Sequence, residues 1–167
     1  MTTAPNAHPL DERLRFLADT VVAEAELLES TDARLFIEPM TPVRAAGLRA
    51  NLDISERVDA FAARLGRLQD TVGDKLLPLL LQRLAEPVGP AIDNLLRAER
   101  LALLDNADQW IETRQLRNFM IHEYIRDATL LATALQRGHD CVPLLTRAAR
   151  RMAAAVDARI NRKTQGS

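Results

Sequence analysis

Cysteine, lysine, glycine and aromatic residues are all scarce in this chain, and each scarcity closes off a class of protein. The single cysteine, Cys141, has no partner for an internal disulfide, so no disulfide framework is available and a reducing, cytoplasmic setting is expected. Aromatic residues make up 4% of the sequence, which leaves the core to Leu, Ala, Val and Ile. Six Gly and eight Pro are too few for a turn-rich β-protein, and no run alternates β-branched with polar residues. No apolar run approaches the roughly 18 residues of a spanning helix, and no signal peptide is legible, so no membrane partner is expected. With a formal net charge of −1, bulk charge argues neither for non-specific nucleic-acid binding nor for a membrane surface. Lysine is confined to Lys75 and Lys163; the other basic residues are Arg. Arginine's planar fork suits phosphate. Yet Arg and Ala are abundant together, as a GC-rich coding sequence produces, and that reading is preferred. Six of the basic residues fall between Asp140 and Ser167, against two acidic ones.

What is present is helical periodicity. Residues 1–9, with Pro5 and Pro9, read as a disordered tail, and residues 10–163 as one helical bundle. Leu14, Leu17, Ala18, Val21, Ala25 and Leu28 recur at the steps of an amphipathic helix over about 10–29. Ser30 to Asp53 reads as a connection, holding Pro39, Pro42 and Gly47, with a short helical piece over Pro42–Ala50. Ser55 is the expected N-cap of the next helix, whose stripe is Val58, Phe61, Ala62, Leu65, Leu68, Val72 and Leu76. Pro78 predicts a kink or break near Gly73–Pro78. Glu86–Pro90 is a connector, followed by a short helix to about Leu103 and a cap at Asp105 or Asn106. Gly138 is expected to end a helix over Asp127–Arg137. A last helix then runs from about Cys141 to Ile160, with Val142, Leu145, Ala149, Met152, Val156 and Ile160 inward. The fold class is all-α, an up-and-down-like bundle of five to six helices.

Chemistry concentrates in Arg117-Asn118-Phe119-Met120-Ile121-His122-Glu123-Tyr124, where an Arg, a His and a Tyr interrupt an apolar helical stretch. A half-buried Arg or His costs free energy unless it is paired or used. A neutral imidazole can take the proton of a ribose 2′-hydroxyl or return one to a leaving 5′-oxygen. A guanidinium can hold the scissile phosphate through two N–H groups. Asn118 can orient His122 or bind the phosphate. Arg117 and His122 are five residues apart, about 140° round a regular helix, so they do not converge within one chain. Either the helix loosens near His122 or two copies of the chain combine at a two-fold axis. Asp70 and Asp74, in a polar stretch at the end of their helix, are candidates to line the same groove and order Arg117. The competing structural account pairs Arg117 with Glu123 or Asp127 and leaves His122 as an ordinary helical histidine. No cluster of His, Cys and carboxylates has metal-ligand spacing, so no metal and no cofactor are expected.

These eight residues resemble the R-N-x-x-x-H-x-Y pattern of HepT-like proteins, small helical bundles of the HEPN superfamily. The resemblance extends loosely over the helical layout from about Ser55 onward. It implies a homodimer with a metal-independent ribonuclease site at its interface, Arg117 and His122 being catalytic. It also implies a toxin–antitoxin pair in which a small MntA-like nucleotidyltransferase adds AMP to the motif tyrosine, here Tyr124. Because some members of the group are substrate-binding partners of nucleotidyltransferases, a non-catalytic subunit is the alternative, and a plain helical scaffold is the third.

Overall fold

The computed structural model describes residues 8–122 and 126–164, with side chains described over 8–120 and 126–161. Among these residues the regular structure is helical throughout: α1 (Pro9–Leu35), α2 (Pro42–Ala46), α3 (Leu52–Asp70), α4 (Leu77–Arg83), α5 (Ala91–Arg100), α6 (Ala107–His122) and α7 (Ala128–Thr164). A 3-10 turn, Leu48–Ala50, follows α2, and a π-helical segment, Thr71–Leu76, joins α3 to α4 without a break. Counting α3 to α4 as one rod gives six helices, one of them the five-residue α2.

The core is built by the stripes legible in the sequence. Every stripe residue on α1, on α3 and its π-helical continuation, and on α7 is buried, from Leu14 to Leu28, from Val58 to Leu76 and from Val142 to Ile160. α7 is the spine: α1, α2 and α6 all pack along it, while α3 packs on α1 and α6.

Several boundaries differ from the sequence expectation. α1 runs on to Leu35, because Thr31 bonds back to the Leu27 carbonyl and Leu35, wholly buried, continues the stripe. The cap of α3 is Asn51, whose side-chain oxygen accepts from the Ile54 amide at 3.2 Å, and Ser55 already lies inside the helix. Pro78 does not end its helix. Proline has no amide hydrogen to return to the preceding turn, and the ladder upstream widens to i→i+5, with the Leu77 amide bonding to the Val72 carbonyl.

The largest difference is α7, a single helix that passes through both Gly138 and Pro143. Gly138 is a packing notch: a Cβ there would stand 2.5 Å from Met120 Cε and 3.3 Å from Phe61. Pro143 sits on the exposed face of α7, where water can satisfy the carbonyl that its missing N–H leaves free. The sequence cap at Asp105 or Asn106 resolves to Asn106, which accepts from the Gln109 amide at 2.9 Å. Asp105 instead pairs with Arg147 and Arg151, so part of the basic C-terminal stretch is already matched by acid.

Candidate functional site

Arg117 lies on the inward stripe of α6. Trp110, Thr113, Arg117 and Met120 follow each other at helical steps, and the other three are buried. The arginine can occupy this position because α3 presents Gly66 opposite it. A Cβ at Gly66 would come within 2.4 Å of Arg117 Nε, so the side chain crosses α3 where only a hydrogen projects. One turn further along α3, Asp70 Oδ1 accepts from Arg117 Nη1 at 2.8 Å. The Arg117 side chain keeps 27% of its surface exposed. It is therefore held against α3 and still partly exposed.

Beside this pair, Arg114 donates to both carboxylate oxygens of Asp74 at 2.9 and 2.8 Å, and stands 3.8 Å from Asp70. Two arginines of α6 thus face two aspartates spaced four residues apart, in opposite order along the chain. The two helices are antiparallel here, and the face is close to neutral. Asp70 meets Arg117 directly; Asp74 meets Arg114 and reaches Arg117 only through this cluster. Neither Glu123 nor Asp127 is needed to hold Arg117: Asp127 accepts from the Thr129 and Leu130 amides at the start of α7, and Glu123 lies outside the described residues.

The remaining motif residues fall in different positions. Asn118 is exposed, with no side-chain hydrogen bond to the α3 carboxylates. His122 is the last described residue of α6, and its side chain lies outside the described residues, as does the whole of Tyr124. Among the described residues no three His, Cys, Asp or Glu side chains stand together as a metal-binding group.

The π-helical segment lies directly behind the site. Gly73 backs onto the Trp110 ring, 3.3 Å from where a Cβ would be, and Gln69 Nε2 donates to the Trp110 carbonyl at 2.9 Å. Gln69 Oε1 and Trp110 Nε1 are buried there without a protein partner. Nearby on α1, burial raises the Glu24 carboxyl above its ordinary value, against a Thr71 hydrogen bond and the charges of Arg67 and Lys75, which lower it.

A second polar constellation was not foreseen from the sequence. His139 of α7 stacks on Phe36 at 4.3 Å between centroids, and its Nδ1 is 2.7 Å from Asp32 Oδ1 of α1. Burial raises the Asp32 carboxyl, and the His139 bond pulls it back down. The signal available in the sequence was weak: Asp32 and His139 are 107 residues apart. Phe36 also meets Phe61 edge-on at 5.2 Å, which joins this pair to the Gly138–Met120 contact beneath α6.

Set against known proteins, the chain matches no family model, no curated sequence and no solved structure. The resemblance to HepT-like proteins therefore rests on residues 117–124 and the helical layout alone.

Proposed function

We propose that this chain is a metal-independent ribonuclease of the HepT kind, the toxin of a toxin–antitoxin pair, acting as a homodimer. The observation that carries the reading is the seating of Arg117. It is an arginine placed on an inward stripe, admitted by Gly66, fixed through Nη1 by Asp70 and still partly exposed. Such a group is oriented before a phosphate arrives, so little further ordering is needed on binding. Asp70 occupies one amino group, which leaves the Nη2 edge for a phosphate oxygen.

In the proposed reaction His122 takes the proton of a ribose 2′-hydroxyl. The 2′-oxygen attacks the adjacent phosphorus, and the bond to the 5′-oxygen breaks, leaving a cyclic phosphate. The departing 5′-oxygen needs a proton, and a second copy of His122 across a two-fold axis supplies it. Arg117 offsets the charge that grows on the phosphoryl oxygens. An MntA-like nucleotidyltransferase would silence the site by attaching AMP to Tyr124, where a bulky anion excludes RNA.

The test compares wild-type protein with His122→Ala and Arg117→Ala on mixed RNA in excess EDTA. Wild type is expected to cleave, His122→Ala to be inactive, and Arg117→Ala to lose roughly 10²–10³-fold, as for removal of one oxyanion donor. Tyr124→Phe should still cleave but resist inactivation by the nucleotidyltransferase and ATP. Cleavage that depends on added Mg²⁺ would refute the mechanism. Equal cleavage by wild type and His122→Ala, or none by either, would transfer the reading to a non-catalytic nucleotidyltransferase partner. One observation favours that second reading: Arg114 and Arg117 each already hold a carboxylate, so the face is self-neutralised in the manner of a protein-docking surface.

A further inference from the structure

A cleft of about 410 Å³ opens between the end of α1, the α2 turn and the start of α3. Arg34, Arg44 and Arg57 line it together with Ile37, Leu48 and Ile54, and Glu38 is the one carboxylate in its wall. Arg34 and Arg57 also border the adjoining cleft along α3, whose wall adds Arg64 and the carboxylates Asp53 and Glu56. Among the described residues, no carboxylate lies within 4.0 Å of the Arg34, Arg44 or Arg57 guanidinium. Arg44 is held by a backbone carbonyl, donating to Glu38 O at 2.7 Å. Arg34 lies in the last turn of α1, where the helix dipole favours a cation and no counter-ion is needed. Elsewhere Arg83, Arg114, Arg117, Arg137, Arg147, Arg150 and Arg151 are ion-paired.

The same stretch carries the apolar surface least covered by the fold. Val43, Ile37 and Leu52, at 84%, 77% and 71% exposed, are the three most exposed large aliphatic side chains among the described residues. All three fall within the segment that builds the cleft, between the end of α1 and the start of α3. Guanidiniums without an ion-pair partner, beside uncovered aliphatic side chains, suit an occupant that carries both carboxylates and aliphatic groups.

We infer that this cleft is a docking site for an acidic, aliphatic segment of a partner protein, its carboxylates meeting Arg34 and Arg57 and its apolar side chains covering Ile37 and Ile54. Nucleic acid fits less well, because the wall offers branched aliphatic side chains and no aromatic ring on which a base could stack. The site lies at the N-terminal end of α3, whereas the Arg117 contact is made at Gly66 and Asp70 near its other end. Occupation of the cleft is therefore independent of the ribonuclease reading.

The experiment presents the full-length protein to a displayed library of random dodecapeptides at physiological ionic strength, with counter-selection on an Arg34→Glu/Arg57→Glu variant. The selected sequences should combine Asp or Glu with Leu, Ile or Val. The best peptide, measured by fluorescence polarisation, should lose about tenfold or more in affinity on each single arginine-to-alanine change, the scale of one charged hydrogen bond. It should also weaken on Ile37→Ser. Circular dichroism of each variant should match wild type, since Arg34 and Arg57 have no partner within the fold to lose. Peptides lacking acidic residues, peptides that bind the double-glutamate variant equally well, or a failure to select any would overturn the inference. Displacement of the peptide by oligouridylate at lower concentration than by its own free copy would assign the cleft to nucleic acid instead.

Discussion

Arg117 shows how a glycine on one helix decides what a side chain on another can do. In an exposed helix, replacing Gly by Ala stabilises by roughly 0.5–1 kcal/mol, since alanine loses less backbone freedom on folding. At position 66 the added methyl would meet Arg117 Nε, Cδ and Cζ, all within 2.8 Å. Those atoms belong to a flexible side chain, so Arg117 can swing away and the helix can keep its gain. Gly66→Ala should therefore leave the urea midpoint within about 1 kcal/mol of wild type. It should also impair RNA cleavage about as much as Arg117→Ala. Unchanged cleavage in a folded Gly66→Ala protein would show that the seating of Arg117 is not used. The seating itself was only partly legible. The sequence suggested Asp70 or Asp74 as partners of Arg117, and Asp70 is the one in contact. Gly66 passed without notice, because a glycine inside a helix carries no local sign of which neighbour needs the space.

At the scale of elements, periodicity was a better guide than punctuation. The long stripes were readable because burial repeats every three or four residues over many turns, and errors at one position average out. A single breaker was misread at Gly138, whose role is decided by Met120 and Phe61 packed against it, and the disturbance expected near Gly73–Pro78 takes the form of a π-helical segment. The converse occurs at two helix ends where glycine would be usual and alanine is found. Ala85 and Ala102 have φ of 59° and 56°, each just beyond a helix terminus. At these ends the Glu86 amide bonds to the Leu81 carbonyl, and the Leu103 amide to the Ala98 carbonyl. This is the six-to-one closure of a Schellman motif, which needs a left-handed residue. An L-residue there costs roughly 1–2 kcal/mol, which glycine avoids at some cost in unfolded-state entropy. Ala85→Gly and Ala102→Gly should each raise stability, by about 0.5–1 kcal/mol net, read from denaturant midpoints at constant m-value. A fall in either midpoint would mean that the alanine methyl makes a packing contact that outweighs the strain.

Over the whole molecule, ion pairs tie α7 to the rest of the bundle, and their response to pH has two signs. The Glu29 carboxyl is held below its ordinary value chiefly by the hydrogen bond from Arg150, and Asp105 by Arg151 and Arg147. A lowered carboxyl contributes stability above its ordinary value and loses it as pH falls through its folded value. Glu29 and Arg150 are both about 40% exposed, so the pair is worth no more than about 1 kcal/mol. Arg150→Ala should accordingly lower the urea midpoint slightly at pH 7, with the gap narrowing as pH falls below 4.5 and the carboxyl takes up its proton. Glu24 has the opposite sign. Burial raises its carboxyl, so its contribution is favourable while protonated, below its ordinary value of 4.5, and is lost as pH rises through the folded value. Glu24→Gln should raise the midpoint at pH 7 and make no difference near pH 3. A midpoint gap independent of pH in either variant would show that its effect comes from packing and not from charge.

Trp110 is the one tryptophan in the chain, and it is 1% exposed, wedged between Gly73 of the π-helical segment and the base of α6. That placement makes the protein its own optical probe. Excited at the red edge of indole absorption, the native chain emits from a single site in a nonpolar setting, so its spectrum should be blue-shifted. Any ligand, partner or substitution that slides α6 along α3 changes the surroundings of that one emitter. The response of the motif helix can therefore be followed in real time, on unlabelled protein, before any substrate is known.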